Sequence, residues 1–531
     1  MKSAKLRLLA AGAAALLAAG CATMPGATFP KQESKALDPA VETHLRQAFE
    51  PAIRAAGGTS GFRLLSLGID GLLARTELID AAERTLDLQY YIFHADESGN
   101  VVVEALLRAA DRGVRVRILV DEGEAVRGDE KILSLAAHPS IEVRIFNPFR
   151  YRGHNRAIRD IDFLLEKRRL DYRMHNKLLV ADNAVALIGG RNIGDQYFQI
   201  DPDSQFGDDD LVVVGPIVPQ LSAVYDQFWN SRLAIPAAAV DARHASERAL
   251  AAYRREMASQ QEVPGEAHAA FRQRTLSGEP WAGIVSGRSP LIWARMRAVY
   301  DSPDKKRVDD GDNPGPLIAK PVEEEAGAVS TELLMVTPYL VPSAAELGIL
   351  HDDLQRHVKV RILTNSLEAA PDVAGQSGYM HYRPRLLGEG VELYEIRARL
   401  GSTKGSGQSK RMSGHGTYAL HAKLFVFDRK AVFIGSMNFD ERSKHLNTEI
   451  GLIVSSPELA REVAARFEAL TQPGNAYRVL LADGSTERRP RLIWKTREDG
   501  KDVTYAAEPA RSDWQRFEVK FLSLLPLDRE L

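Results

Sequence analysis

Two stretches decide the fold: MHNKLLVADNAVALIGGRN, Met174–Asn192, and LHAKLFVFDRKAVFIGSMN, Leu420–Asn438. They are one phrase written twice. His175-Asn-Lys177, four residues, Asp182, six residues and Gly189-Gly190-Arg-Asn192 answer His421-Ala-Lys423, four residues, Asp428, six residues and Gly435-Ser436-Met-Asn438. Among the constrained positions only Gly190 and Ser436 differ. Each phrase reads as two strands, His175–Ala181 with Ala184–Gly189 and His421–Phe427 with Ala431–Gly435, joined by a turn at the Asp. Paired imidazoles, ammonium groups and amides can hold a phosphodiester and transfer its phosphorus through a covalent phosphohistidine.

Outward from the first phrase, helical and strand patterns alternate. Leu72–Arg84 has helical period, Leu86–Phe93 is a strand, Val101–Arg112 a helix closed by Gly113, and Val114–Asp121 a strand. Asp129–Ala137 is a short helix, and Ile141–Asn147 and Leu211–Val214 are strands. The order recurs around the second phrase, with Leu333–Thr337, Val358–Leu363, Val391–Ile396 and Gly451–Val454. Upstream, Asp38-Pro39 is the expected N-cap of a helix running to about Ala56, kinked at Pro51 and ended by Gly57-Gly58. The expected fold class is α/β: two pseudo-symmetric α/β sandwich halves packed face to face with both histidines at the seam, plus a β-rich C-terminal extension. The expected divisions are 1–21 signal segment, 22–60 tether and helix, 61–237 first half, 238–320 connector of low core content, 321–476 second half and 477–531 extension.

The N-terminus sets the compartment. Lys2, Lys5 and Arg7 precede the uncharged Leu8–Ala19, then Gly20-Cys21. This is a secretory-signal pattern, with an apolar run short of the about 20 residues that span a bilayer. Leu17-Ala18-Ala19-Gly20-Cys21 resembles a bacterial lipoprotein lipobox, although Ala18 stands where Leu is commoner, and implies lipidation of Cys21. An uncleaved anchor is the alternative. Cys21 is the single cysteine, so no disulfide forms within the chain. The net charge is −2, and losing the three basic residues of the signal leaves −2 − 3 = −5. No basic field draws in nucleic acid. The 44 % apolar content fits a folded globular chain. The expected place is the bacterial cell envelope, tethered to a membrane and facing the periplasm.

The duplicated phrase resembles the phospholipase D superfamily. LDLQYYIFHADESG, RGVRVRILVDEG, HPSIEVRIFNPF, VTPYLVP and RILTNSL extend that likeness to bacterial cardiolipin synthases of the C type, from about Ser66 to the C-terminus. The resemblance implies that His175 is the nucleophile and His421 the general acid and then base; the pseudo-symmetry leaves the reverse open. Lys177 and Lys423 would supply positive charge to the phosphoryl oxygens, and Asn192, Ser436 and Asn438 donors to them. Asp182 and Asp428 complete the catalytic phrase, but a turn-capping role suits each better than proton transfer. A carboxylate downstream of each phrase would orient a histidine: Glu449, and Asp208 with Asp209 and Asp210 as rivals.

The resemblance implies no cofactor and no metal. It implies phospholipid substrates, phosphatidylglycerol with phosphatidylethanolamine as a possible donor, on a membrane surface. Transfer of a phosphatidyl group to phosphatidylglycerol is the leading reading. Hydrolysis to phosphatidic acid and nuclease action are alternatives, the latter disfavoured by the acidic chain. The basic residues Arg150, Arg152, Arg156, Arg159, Arg397, Arg399, Lys404, Lys410 and Arg411 read equally as an electropositive mouth or as solvated loop charge. His154, His381 and His415 lack metal-ligand spacing, and Tyr90-Tyr91 reads as core.

Overall fold

A computed structural model of the protein describes residues 29–123, 128–150, 161, 163–201, 203–262, 283–284, 289–305, 315–400, 417–485 and 491–525. Cys21, His154, His415 and most of the two basic loops lie outside them.

Each half is built on a mixed sheet. In the first, Thr85–Tyr90, Arg115–Asp121 and Ile141–Phe146 run parallel, because helix Glu97–Asp111 and the 3-10 helix Asp129–Ala137 separate the strands along the chain. The repeated phrase adds the hairpin Leu178–Ala181 and Val185–Gly189, antiparallel against Thr85–Tyr90. Asp210–Val214 and Ser60–Leu65 follow on the far side. The second half repeats the plan with Glu332–Val336, Lys359–Asn365 and Glu392–Ile396 parallel, then Leu424–Phe427, Ala431–Gly435 and Ile450–Ser455 antiparallel.

Alternation along the hairpins decides what each face packs against. Leu178, Val180, Ala186 and Ile188 share one core with Leu424, Val426, Val432 and Ile434 of the opposite half, joined there by helices Ile217–Asn230 and Pro457–Leu470. The intervening Leu179, Ala181, Val185 and Leu187 pack on the first half's own helices, and Phe425, Phe427 and Phe433 on those of the second. The two sheets therefore face each other across a common apolar layer.

Three expectations change. The helix His44–Ala55 contains Pro51 as expected, but its N-cap is Thr43, whose hydroxyl accepts from the Arg46 N–H; Asp38 makes a separate turn by accepting from the Ala40 N–H. The described part of the 238–320 segment is more than a linker: Leu250, Tyr253 and Met257 of helix Glu247–Glu262 join the first half's core. The same segment supplies strand Ile292–Tyr300, which pairs with Ser60–Phe62 at one end and with Ile450–Ser455 along the rest, splinting the two sheets together. Its exposure alternates among charged residues such as Arg295 and Arg297, which masked the strand in the sequence. The C-terminal region holds the expected strands Ala476–Leu481, Leu492–Glu498 and Lys501–Tyr505, and also an unexpected helix, Asp513–Leu522.

Candidate active site

The seam is tied by backbone as well as by core. The His175 N–H donates to Thr448 O at 2.9 Å, and the His421 N–H donates to Gly207 O at 2.8 Å. Thr448 and Gly207 immediately precede Glu449 and Asp208. His175 Nδ1 lies 2.9 Å from Glu449 Oε2, and His421 Nδ1 lies 2.6 Å from Asp208 Oδ2. Each histidine is thus held twice, by main chain and by carboxylate, and both times from the other half. Spacing pointed to Asp208 and Glu449 as the carboxylates that would meet the histidines, and the structure adds that each comes from the opposite half. The rivals are committed elsewhere. Asp209 pairs with Arg466, and Asp210 is buried between Arg75 and Arg191, at 3.0 and 3.1 Å.

The lysines follow their histidines. Lys177 Nζ donates to His175 O at 2.6 Å and stands over the Tyr91 ring. Lys423 Nζ lies 3.2 Å from His421 Nε2. Burial comes first in setting the electrostatics. It pulls His421 down to about 3, helped by the Lys423 charge and opposed by Asp208. Burial and the two lysines hold His175 well below its ordinary value. Both rings are therefore neutral, with Nδ1–H directed at a carboxylate and Nε2 left as the basic atom. The carboxylates themselves differ. Burial raises Asp208, but the hydrogen bond from His421 and the charges of Lys423 and Arg191 outweigh it and keep the group below the usual carboxylate range. Burial pushes Glu449 up to about 7 against the pull of Lys177. Lys423 is lowered by burial to about 8, and burial drives Lys177 well below its ordinary value.

The difference between Gly190 and Ser436 belongs to this asymmetry. The Ser436 hydroxyl donates to Glu449 and accepts from the Ile450 N–H at 3.0 Å, so it is spent on the carboxylate that holds His175. Ser436, expected to face phosphate, meets Glu449 and the Ile450 N–H in this structure. At Gly190 a Cβ would lie 2.2 Å from Asp208 Oδ1, so the shorter carboxylate occupies the space that a serine would need. Asn192 and Asn438 do face the cleft. Asn192 Oδ1 accepts from the Ile92 N–H at 3.1 Å, while its buried Nδ2 has no partner among the described residues and is available to a ligand oxygen.

Asp182 and Asp428 stand away from this chemistry. Each occupies a two-residue turn with positive φ at both positions, 52° and 47° for Asp182-Asn183 and 50° and 54° for Asp428-Arg429. Asp182 accepts from the N–H groups of Glu83, Arg84 and Thr85, and Asp428 from those of Ser330, Thr331 and Glu332. Seven residues of extended chain, at about 3.3 Å each, separate them from the histidines by roughly 20 Å.

The histidines open on a cleft of about 1290 Å³. Its aromatic lining was missed. Tyr91, read as core with Tyr90, meets the His175 ring edge-on at 5.0 Å; only Tyr90 is buried in the core. Tyr197 meets His421 edge-on at 5.1 Å, and Phe206 stacks on it at 5.4 Å. Tyr339, Asp440 and Arg442 complete the walls, with Arg442 bound to Asp171 at 2.8 Å. Tyr91 and Tyr339 lie just past the C-terminal ends of the first parallel strand in each half, where open α/β sheets form their sites; that position was a usable signal. Of the basic residues proposed for a mouth, Arg150 pairs with Glu166 and Arg397 with Glu498. His381 meets Ser523 O at 2.9 Å. Among the described residues no cluster of His, Cys, Asp and Glu is arranged to hold a metal ion.

Comparison with known proteins agrees with this geometry. The family model described as "Cardiolipin synthase, PLD-like domain" matches residues 76–229 and 325–471. The chain is 35 % identical to cardiolipin synthase C of Escherichia coli strain K12 over 489 residues, covering 91 % of this chain and 99 % of that protein. It is 22 % identical to the probable cardiolipin synthase YwiE of Bacillus subtilis strain 168, covering 88 % of this chain and 78 % of that one. Among solved structures, phosphatidylserine synthase of Haemophilus influenzae Rd KW20 shares the fold with a TM-score of 0.51 at 13 % identity, covering 81 % of this chain and 91 % of that one.

Proposed function

The chain belongs to the phospholipase D-like cardiolipin synthase family, and on that premise we propose that it is a phosphatidyltransferase that moves a phosphatidyl group to phosphatidylglycerol through a phosphohistidine. The observation that carries the reading is the pair of cross-held neutral imidazoles opening on one cleft. His175 Nε2 attacks phosphorus, and its Nδ1–H is fixed on Glu449. His421, neutral in the free protein, takes up a solvent proton as the negative phosphodiester enters beside it and gives that proton to the leaving alcohol. It then takes the proton of the incoming hydroxyl while the phosphohistidine bond breaks. Lys177, Lys423, Asn192 and Asn438 carry the charge on the non-bridging oxygens. Tyr91, Tyr197, Phe206 and Tyr339 add aromatic faces suited to lipid glycerol and acyl segments to a cleft whose other walls are polar.

The donor is phosphatidylglycerol or phosphatidylethanolamine, and the protein is held at the cell envelope by acyl chains on Cys21, facing the periplasm. No helix among the described residues is long and apolar enough to cross a membrane. Purified protein incubated with vesicles of the two lipids is expected to give cardiolipin as the main product by mass. Phosphatidic acid as nearly the sole product would replace transfer with hydrolysis.

A further inference from the structure

Ten large apolar side chains are exposed among the described residues, and five of them, Trp514, Phe517, Phe521, Leu524 and Leu525, fall within 12 residues of the C-terminus of the described chain. The first four recur at the spacing of one helix face. Trp514 is 68 % exposed and Leu524 81 %, and the rings of Trp514, Phe517 and Phe521 succeed one another at 5.4 and 6.4 Å. The opposite face of the helix Asp513–Leu522 is seated: Gln515 and Val519 are buried. The Gln515 amide donates to Leu367 O and the Arg511 guanidinium to Ala370 O, both at 2.7 Å. The braced segment runs directly into Pro371 and Asp372, which line the catalytic cleft, and Asp372 caps the next helix, Val373–Glu389.

We propose that this helix is an interfacial foot, whose Trp514–Phe517–Phe521–Leu524 stripe inserts into the surface of a phospholipid bilayer and brings the cleft wall at Pro371–Asp372 to the lipid. The inference rests on the lipid-substrate reading above. The occupant is a bilayer because the stripe is a convex row of aromatic and leucine side chains, the composition that lies in the headgroup boundary. The foot is also continuous, through two hydrogen bonds, with the wall of a cleft whose substrates reside in that bilayer. A second apolar group, Ile161, Leu164 and Leu165, lies on the segment leading to Asp171, the partner of cleft residue Arg442.

The test uses the full chain with Cys21→Ser, so that acylation does not mask the foot, and vesicles of phosphatidylglycerol whose acyl chains carry bromine. Trp514 emission should be quenched, and the quenching should vanish in Trp514→Phe, which keeps the stripe apolar. A triple variant, Trp514→Ser, Phe517→Ser and Phe521→Ser, should lose about tenfold or more of its turnover on vesicles, as expected for loss of the inserted face of an interfacial helix. On a short-chain lipid dissolved below its micelle concentration the same variant should match the parent, which also reports its fold. Vesicle-bound protein whose Trp514 stays unquenched overturns the foot. So does a stripe that instead joins two copies, seen as a dimer in sedimentation that the triple variant abolishes. Absence of phosphatidyl transfer in every arm overturns the catalytic reading alone, since quenching still reads the docking.

Discussion

His421 and Asp208 lie 2.6 Å apart and come from opposite halves of the molecule. With the reciprocal pair His175 and Glu449 at 2.9 Å, each half supplies the carboxylate that the other half's histidine meets. An Asp208→Asn variant should disable the histidine of the second half, and Glu449→Gln that of the first. Each should lower turnover by about 10²–10⁴-fold, the scale on which an orienting carboxylate acts on a catalytic imidazole. Steady-state kinetics beside thermal unfolding checks this: the rate should fall while the melting temperature moves little.

Ser436 should act through Glu449 and not through the substrate. Ser436→Ala removes a donor that favours the ionised carboxylate. The acid limb of the rate profile should therefore move to higher pH, while KM for the lipid stays near the parent value. A large rise in KM with an unmoved limb would place the hydroxyl on the phosphate instead.

Activity should be bell-shaped in pH. Glu449, raised to about 7 by burial, must lose its proton to accept the His175 Nδ1–H, so the rate rises as pH passes through about 7. Lys423, lowered to about 8 by burial, must keep its proton to carry charge, so the rate falls above that value. Stability has the opposite sign at the acid limb. A carboxyl that holds its proton more tightly folded than unfolded loses stability as pH rises from the unfolded value of about 4.3 toward 7. Rate and unfolding profiles between pH 5 and 9, bracketing both limbs, check both signs.

Asp182 and Asp428 should matter to folding and not to chemistry. Each carboxylate serves three successive N–H groups at the start of a parallel strand. Asp182→Ala leaves buried donors unpaired and should cost about 1–3 kcal/mol, or more if several fail together. Turnover per folded molecule should stay close to the parent's. Denaturant unfolding paired with active-site titration separates the two effects.

The repeated phrase was legible because a hairpin of alternating apolar residues, a turn Asp and catalytic side chains at fixed offsets all fall in one continuous stretch. The histidines, lysines and asparagines could be named from it, and Asp208 and Glu449 from their equivalent positions downstream. What escaped depends on contacts between distant segments. The strand Ile292–Tyr300 carries charged residues because its two partners are edge strands of different halves, so no apolar run marks it. The exchange of carboxylates between halves is invisible to spacing, which is the same whether each half serves itself or the other. Tyr91 looks like the buried Tyr90 beside it, and only the end of the strand turns it toward His175. Thr43 outcompetes Asp38 as a helix cap by position alone.

The proposed transfer turns on a covalent phosphatidyl-histidine that a second lipid resolves. The most direct measurement is to quench the enzyme during turnover with labelled phosphatidylglycerol, digest it and map the label by mass spectrometry. An acid-labile adduct on His175 should accumulate in His421→Ala, be absent in His175→Ala and disappear into cardiolipin when unlabelled phosphatidylglycerol is added to the wild type. Label on neither histidine, or cardiolipin formed at the normal rate by His175→Ala, would contradict it.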